Sequence, residues 1–177
     1  MKRTNKMVLS AVFLALGLTL PFLTMQIKEI GNTFLPMHLP VLLCGIFCGG
    51  AYGAAIGFLV PLLRSALFSM PPMYPTAICM AFELCAYGLI VGLMYGKREQ
   101  KSIGWLYASL VTAMVSGRVI WGAVSAFAWG LGGKTFTLEL FLGGAFLDAI
   151  PGIVIQLVLI PVLVQAVQKF SKNKRAV

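Results

Sequence analysis

"LLRSALFSMPPMYPTAICMAFE", residues 62–83, begins beside an arginine and ends on a glutamate, with almost nothing but apolar residues and prolines between them. The prolines and Ser69 mark a turn, and the apolar runs on either side extend to about residues 51–68 and 74–95. Each run is long enough to cross a hydrocarbon core of roughly 30 Å as a helix. The stretch therefore predicts two antiparallel membrane helices joined by a stiff Pro-Met turn. It also places Arg64 and Glu83 where lipid or a packed interior is expected.

The rest of the 177-residue chain agrees with a membrane reading. It is 59% hydrophobic and 11% charged, with a mean hydropathy of +0.92, whereas soluble domains are about a quarter charged. Every stretch between apolar runs is short and the two ends are small basic tails, so residues 1–177 read as one membrane domain. The start, "MKRTNKMVLSAVFLALGLTLPFLTM", has the basic head and apolar body of a signal peptide. Its apolar run of about 19 residues can span, and no small-x-small cleavage site follows, so it reads as a retained first helix.

The fold class expected is an all-α integral membrane protein with six transmembrane helices near 7–25, 36–48, 51–68, 74–95, 103–129 and 138–168. The second is short, and Gly49-Gly50 alone separates it from the third. When six helices alternate direction, Lys2, Arg3 and Lys6, then Lys97, Arg98 and Lys101, then Lys169, Lys172, Lys174 and Arg175 fall on one side. The positive-inside rule makes that side the cytoplasm and puts both termini there. The net charge of +9 then reflects orientation and contact with anionic membrane lipid, and no nucleic-acid partner is expected.

Small residues mark two close-packing faces. In "LSAVFLALG", residues 9–17, Ala11 and Ala15 are four apart, a spacing that lets another backbone approach closely. That backbone belongs either to this chain or to a partner protein. Gly45, Gly49, Gly53 and Gly57 also recur every four residues, and the break at Gly49-Gly50 predicts a tight hairpin whose arms pack nearly backbone to backbone. Cys44, Cys48, Cys79 and Cys85 all lie in apolar stretches and read as small packing residues.

Four ionisable residues fall inside the predicted spans: Arg64, Glu83, Arg118 and Asp148. Each costs roughly 2.5 to 3.5 kcal/mol to insert when ionised, so such groups face a cavity or one another. At about 1.5 Å of rise per residue, Arg64 lies about 6 Å from the outer end of its helix and the other three roughly 14 to 17 Å. Comparable depth permits a neutral four-charge network facing a pocket open to the outside, or two ion pairs that merely fix helices. An arginine's planar fork suits a carboxylate, so Arg64 or Arg118 is a candidate receptor for an anion. His38, Tyr74, Trp121 and Trp129 cluster at the same level as candidate pocket walls or interface anchors. "SMPPMYP", residues 69–75, is either a lid over that pocket or a rigid turn.

No catalytic constellation is legible: there is no H-E-x-x-H, no G-x-S-x-G and no G-x-x-x-x-G-K-[ST]. His38 shows no metal-ligand spacing, and neither catalysis, cofactor nor metal is expected. No inverted repeat supports an ion-coupled transporter.

The order of these features resembles the substrate-binding S components of energy-coupling factor (ECF) vitamin transporters. The resemblance rests on the short six-helix chain, Ala11 and Ala15, "LPMHLPVLLCGIFCG" at 35–49, the stretch around Arg64 and Glu83, "SGRVIWG" at 116–122 and "GGAFLDAIPGIVIQLVLIP" at 143–161. It implies a single S-component domain in a bacterial cell membrane that captures a vitamin-like small molecule from outside at high affinity. Delivery would need a transmembrane coupling protein and two cytoplasmic ATPases, with the Ala11 and Ala15 face docking on the coupling protein and the subunit toppling to turn its pocket inward. The substrate-binding residues expected are Arg64, Glu83, Arg118, His38, Tyr74, Trp121 and Asp148. The charged segments look most like the pantothenate-type members, whose ligand would offer a carboxylate to an arginine and hydroxyls and an amide to Glu83, His38 or Gln156. Pyridoxine-type and thiamine-precursor ligands are alternatives. From a different class, a membrane scaffold or small integral enzyme would use the same charges structurally.

Overall fold

The computed structural model describes residues 2–24, 34–96, 102–131, 137–143 and 149–173. Among them the chain forms α1 (Arg3–Thr19), a 3-10 turn (Leu20–Thr24), α2 (His38–Cys48), α3 (Gly50–Phe68), a π turn (Met73–Ala77), α4 (Ile78–Gly96), α5 (Ile103–Leu131), α6 (Leu138–Leu142) and α7 (Ile150–Asn173). Among the described residues, five segments are long and apolar enough to cross a membrane: Arg3–Leu23, Gly50–Phe68, Met73–Gly96, Ile103–Gly130 and Ile150–Lys169. No strand occurs among the described residues.

Two expected boundaries differ. The second helix has 11 residues, about 16 Å of rise, well short of a full crossing by itself. The last run, read as one helix over 138–168, contains the short α6 and the separate α7. Pro151 stands in the first turn of α7, where a missing N–H breaks no intrahelical bond, so this proline favours a helix start where the apolar pattern runs on.

The π turn leads straight into α4, the central helix, which packs on α2, α3 and α5. Its glycine face permits contact between backbones. A Cβ added to Gly53 would stand 2.6 Å from the Gly88 carbonyl oxygen and 2.7 Å from the Gly45 Cα, and one added to Gly45 would stand 2.5 Å from the Gly88 oxygen. Gly57 faces the Leu84 backbone and Gly50 faces Leu89 and Gly92, so α3 and α4 run antiparallel in near backbone contact over most of their length. The predicted break is the single residue Gly49. Its φ of 101° favours glycine, and its N–H caps α2 on the Gly45 carbonyl at 3.0 Å. The arms of the expected hairpin do meet at Gly45 and Gly53, but both also close on Gly88 of a third helix.

Outside this core, α1 runs beside α3. Its buried residues are Ser10, Phe13 and Gly17, with Gly17 against Val60 and Ser10 3.7 Å from the Cys44 sulfur. Arg64 fastens the far end. Its Nη1 donates to the Leu18 carbonyl at 2.5 Å, and its guanidinium lies 4.8 Å from the Phe22 ring centre and 5.4 Å from that of Phe68. At the opposite end of α4, Trp105 Nε1 donates to the Met94 carbonyl at 2.9 Å, and Gln168 donates to the Tyr95 hydroxyl at 2.9 Å. Large apolar side chains such as Val12, Leu67, Val119, Phe127 and Val158 cover the outer surface, as a lipid-facing bundle requires.

Gly53→Ala is expected to destabilise the bundle by the 1–3 kcal/mol, roughly, of an overpacked interior, read as a lower unfolding temperature in detergent. Gly104→Ala, with nothing within 4 Å of the added Cβ, leaves that temperature unchanged. Arg64→Ala removes one carbonyl contact and two ring contacts, each worth about 0.5–2 kcal/mol. Faster hydrogen exchange at the end of α1, around residues 18–22, is the expected result.

Candidate ligand-binding site

Three of the residues singled out in the sequence converge inside the bundle. Glu83 projects from α4, and Arg118 of α5 brings its Nη1 to 3.0 Å from Glu83 Oε1. His38 opens α2, its N–H held by the Leu35 carbonyl at 3.1 Å, and its Nε2 stands 3.5 Å from the same Glu83 oxygen. All three are buried, at 1%, 4% and 1% exposure for Glu83, Arg118 and His38. Tyr87, one turn along α4 from Glu83, carries the His38 ring edge to face at 5.2 Å and lies within reach of both Glu83 and Arg118. Gly117 makes room for it, since the Tyr87 ring occupies the place its Cβ would take. The "SGR" segment thus seats a tyrosine and positions the next residue, an arginine, in one step.

The cluster is closed to water and incompletely satisfied. His38 Nδ1 and Nε2, Glu83 Oε1, Arg118 Nε and Nη2, and Gln156 Nε2 are buried without a hydrogen-bond partner among the described residues. The Glu83 oxygen is held by ion pairing alone. Each such group costs about 1–3 kcal/mol, more when charged. Native interiors rarely keep several together without a reason. Gln156 comes from α7 and lines a cavity of about 200 Å³ with Leu20, Leu23, Phe34, Pro36 and Ile155. The sequence offered Gln156 only through the family resemblance, as one of three residues to meet a ligand's hydroxyls and amide, since which face of α7 turns inward depends on its neighbours.

The remaining candidates lie elsewhere, and the expected four-charge network is divided. Arg64 is held by Leu18, Phe22 and Phe68 at the C-terminal ends of α1 and α3, and does not pair with Glu83. The depth count had already put it nearer its helix end than the other three, and the carbonyl left open by the last turn of α1 takes it. Tyr74 donates its hydroxyl to the Ala128 carbonyl, tying the π turn to α5 while its ring is half exposed. Trp121 stacks with Phe141 of α6 at 6.4 Å. Trp129 lies one turn from the end of α5. Asp148 lies outside the described residues. Ala11 and Ala15 are exposed on α1, because the neighbouring small residues Ser10 and Gly17 make its contacts within the chain. The cysteines are free, three of them buried.

The geometry is that of a buried polar cluster on a helical scaffold, with His38, Glu83 and Arg118 brought together from α2, α4 and α5. The family model for the ECF transporter substrate-specific component matches residues 5–164. No curated protein and no solved structure gave a match. Members of that family are transporter subunits rather than enzymes; they bind a small-molecule substrate and work with a membrane coupling protein and ATPases. With nearly its whole length matched and several apolar helices able to cross a membrane, the chain belongs to the substrate-specific components of ECF transporters.

Proposed function

We propose that this subunit captures a vitamin-like small molecule from outside a bacterial cell membrane at high affinity, with pantothenate as the named candidate. The buried, partly unsatisfied cluster of His38, Glu83 and Arg118 carries this reading, because a ligand would supply the partners that the fold withholds. Six crossings with both termini in the cytoplasm complete it. They require α2 and the residues just before it to count as the sixth span, and they gather the three basic groups on one side.

Delivery inward follows the family's mode of action: the subunit topples while bound to the coupling protein, and two cytoplasmic ATPases supply the energy. Ala11 and Ala15 are the docking residues in this reading. Their exposure supports it, since small side chains on an outward helix face let a partner's backbone approach.

The purified full chain, measured by native mass spectrometry against a panel of vitamins, is expected to retain one ligand stoichiometrically. Persistent emptiness across the panel would sink the reading, and retention of thiamine precursors or pyridoxine alone would move the assignment away from pantothenate. Ala11→Trp combined with Ala15→Trp is expected to block uptake into vesicles carrying the whole transporter while leaving binding by the isolated subunit intact. Loss of binding in that double variant would make the face part of the chain's own packing.

A further inference from the structure

We infer that the open edge of Arg118, formed by Nε and Nη2, receives a carboxylate of the ligand, that Glu83 positions this guanidinium from its opposite corner, and that Arg64 takes no part. The inference rests on the reading of the chain as a binding subunit and names the chemistry its site accepts.

The geometry of the guanidinium makes the first argument. Its five N–H bonds form a rigid planar fork, and the N–H groups of Nε and Nη2 point the same way along one edge. Glu83 engages the other corner, through Nη1 at 3.0 Å. Nε and Nη2 are buried and have no partner among the described residues. Two parallel donors held by a neighbouring carboxylate match a planar group with two acceptor oxygens, and a carboxylate satisfies both at once.

Counting donors and acceptors makes the second argument. Of the six unpartnered atoms, Arg118 Nε, Arg118 Nη2 and Gln156 Nε2 can only donate, while Glu83 Oε1 can only accept. His38 offers one of each when neutral. A donor surplus of this kind asks for a ligand rich in acceptors. An ammonium or thiazolium ligand would meet the positive fork and find one acceptor, already facing Arg118 and His38.

Competition between the two arginines makes the third argument. The sequence left them equivalent. In the structure Arg64 donates to the Leu18 carbonyl and is flanked by two phenyl rings. Its contacts join α1 to α3, whereas Arg118 keeps two buried donors with no partner among the described residues.

Isothermal titration of the full chain in detergent tests the assignment with paired probes: pantothenate and panthenol, nicotinate and nicotinamide, biotin and biotinamide, with thiamine and pyridoxine added. A carboxylate member is expected to bind, with its neutral counterpart weaker by about a hundredfold, the loss typical of an unmet buried charged hydrogen bond. Arg118→Lys keeps a cation for Glu83 but loses the fork, and is expected to weaken carboxylate binding by about tenfold or more. Arg64→Lys should stay within about threefold of wild type, because the ligand never touches it. Glu83→Gln keeps an acceptor for Nη1 and should preserve the preference for carboxylate over neutral counterpart, which a ligand-contacting Glu83 would not predict. Equal affinity within a pair, or binding of thiamine or pyridoxine alone, overturns the carboxylate assignment while the binding-subunit reading stands. Failure of every probe overturns both. If Arg118→Lys does not fold, as judged by its elution profile, the paired ligands on wild-type protein still decide.

Discussion

Gly88 lies where three helices meet, and the absence of side chains at Gly45, Gly53 and Gly88 lets α2, α3 and α4 close to backbone distance. In lipid, apolar side chains gain little by choosing one another over acyl chains, so close packing and hydrogen bonding hold helices together. Contact without intervening side chains gives the tightest packing available and leaves little freedom to slide. Because α4 is gripped in this way from Gly57 opposite Leu84 to Gly50 opposite Gly92, Glu83 is carried at a defined depth one residue away. The buried cluster depends on that grip: His38 arrives on α2, Arg118 on α5, and both meet a glutamate that the glycine contacts have already placed.

The interior charges are handled in two different ways. Glu83 and Arg118 neutralise each other beside His38 in a buried setting, where breaking the pair would leave an uncompensated buried charge. Arg64 has no carboxylate partner among the described residues. A backbone carbonyl at the end of α1 and the faces of Phe22 and Phe68 accept it instead, and these also close the C-terminal ends of α1 and α3. One arginine is therefore engaged with a backbone carbonyl and two rings in holding the bundle, while the other keeps two buried donors with no partner among the described residues.

Much of this was legible in the residues. The apolar runs, the break at Gly49, the turn at 69–75 and the order of motifs that resembled ECF substrate-binding components all follow from short-range chemistry, and the family model agrees over 5–164. Proximity in depth correctly grouped Glu83 with Arg118 and His38. It failed for Arg64, because depth along a helix says nothing about the direction in which a side chain leaves it. Ala11 and Ala15 illustrate the same limit. Their spacing announced a close-packing face, yet Ser10 and Gly17, offset around the helix, took the contacts within the chain.

By itself the sequence determined that the chain is helical, that it belongs in a membrane and that a few ionisable residues must find partners there, since length, hydropathy and the cost of burying charge are local properties. Tertiary structure alone decided which arginine faces Glu83, that Gln156 turns inward toward a cavity, and that Gly88 locks three helices at once. These outcomes depend on the rotation of each helix about its axis. That rotation is set only when neighbouring backbones come into contact, which no single stretch of residues encodes.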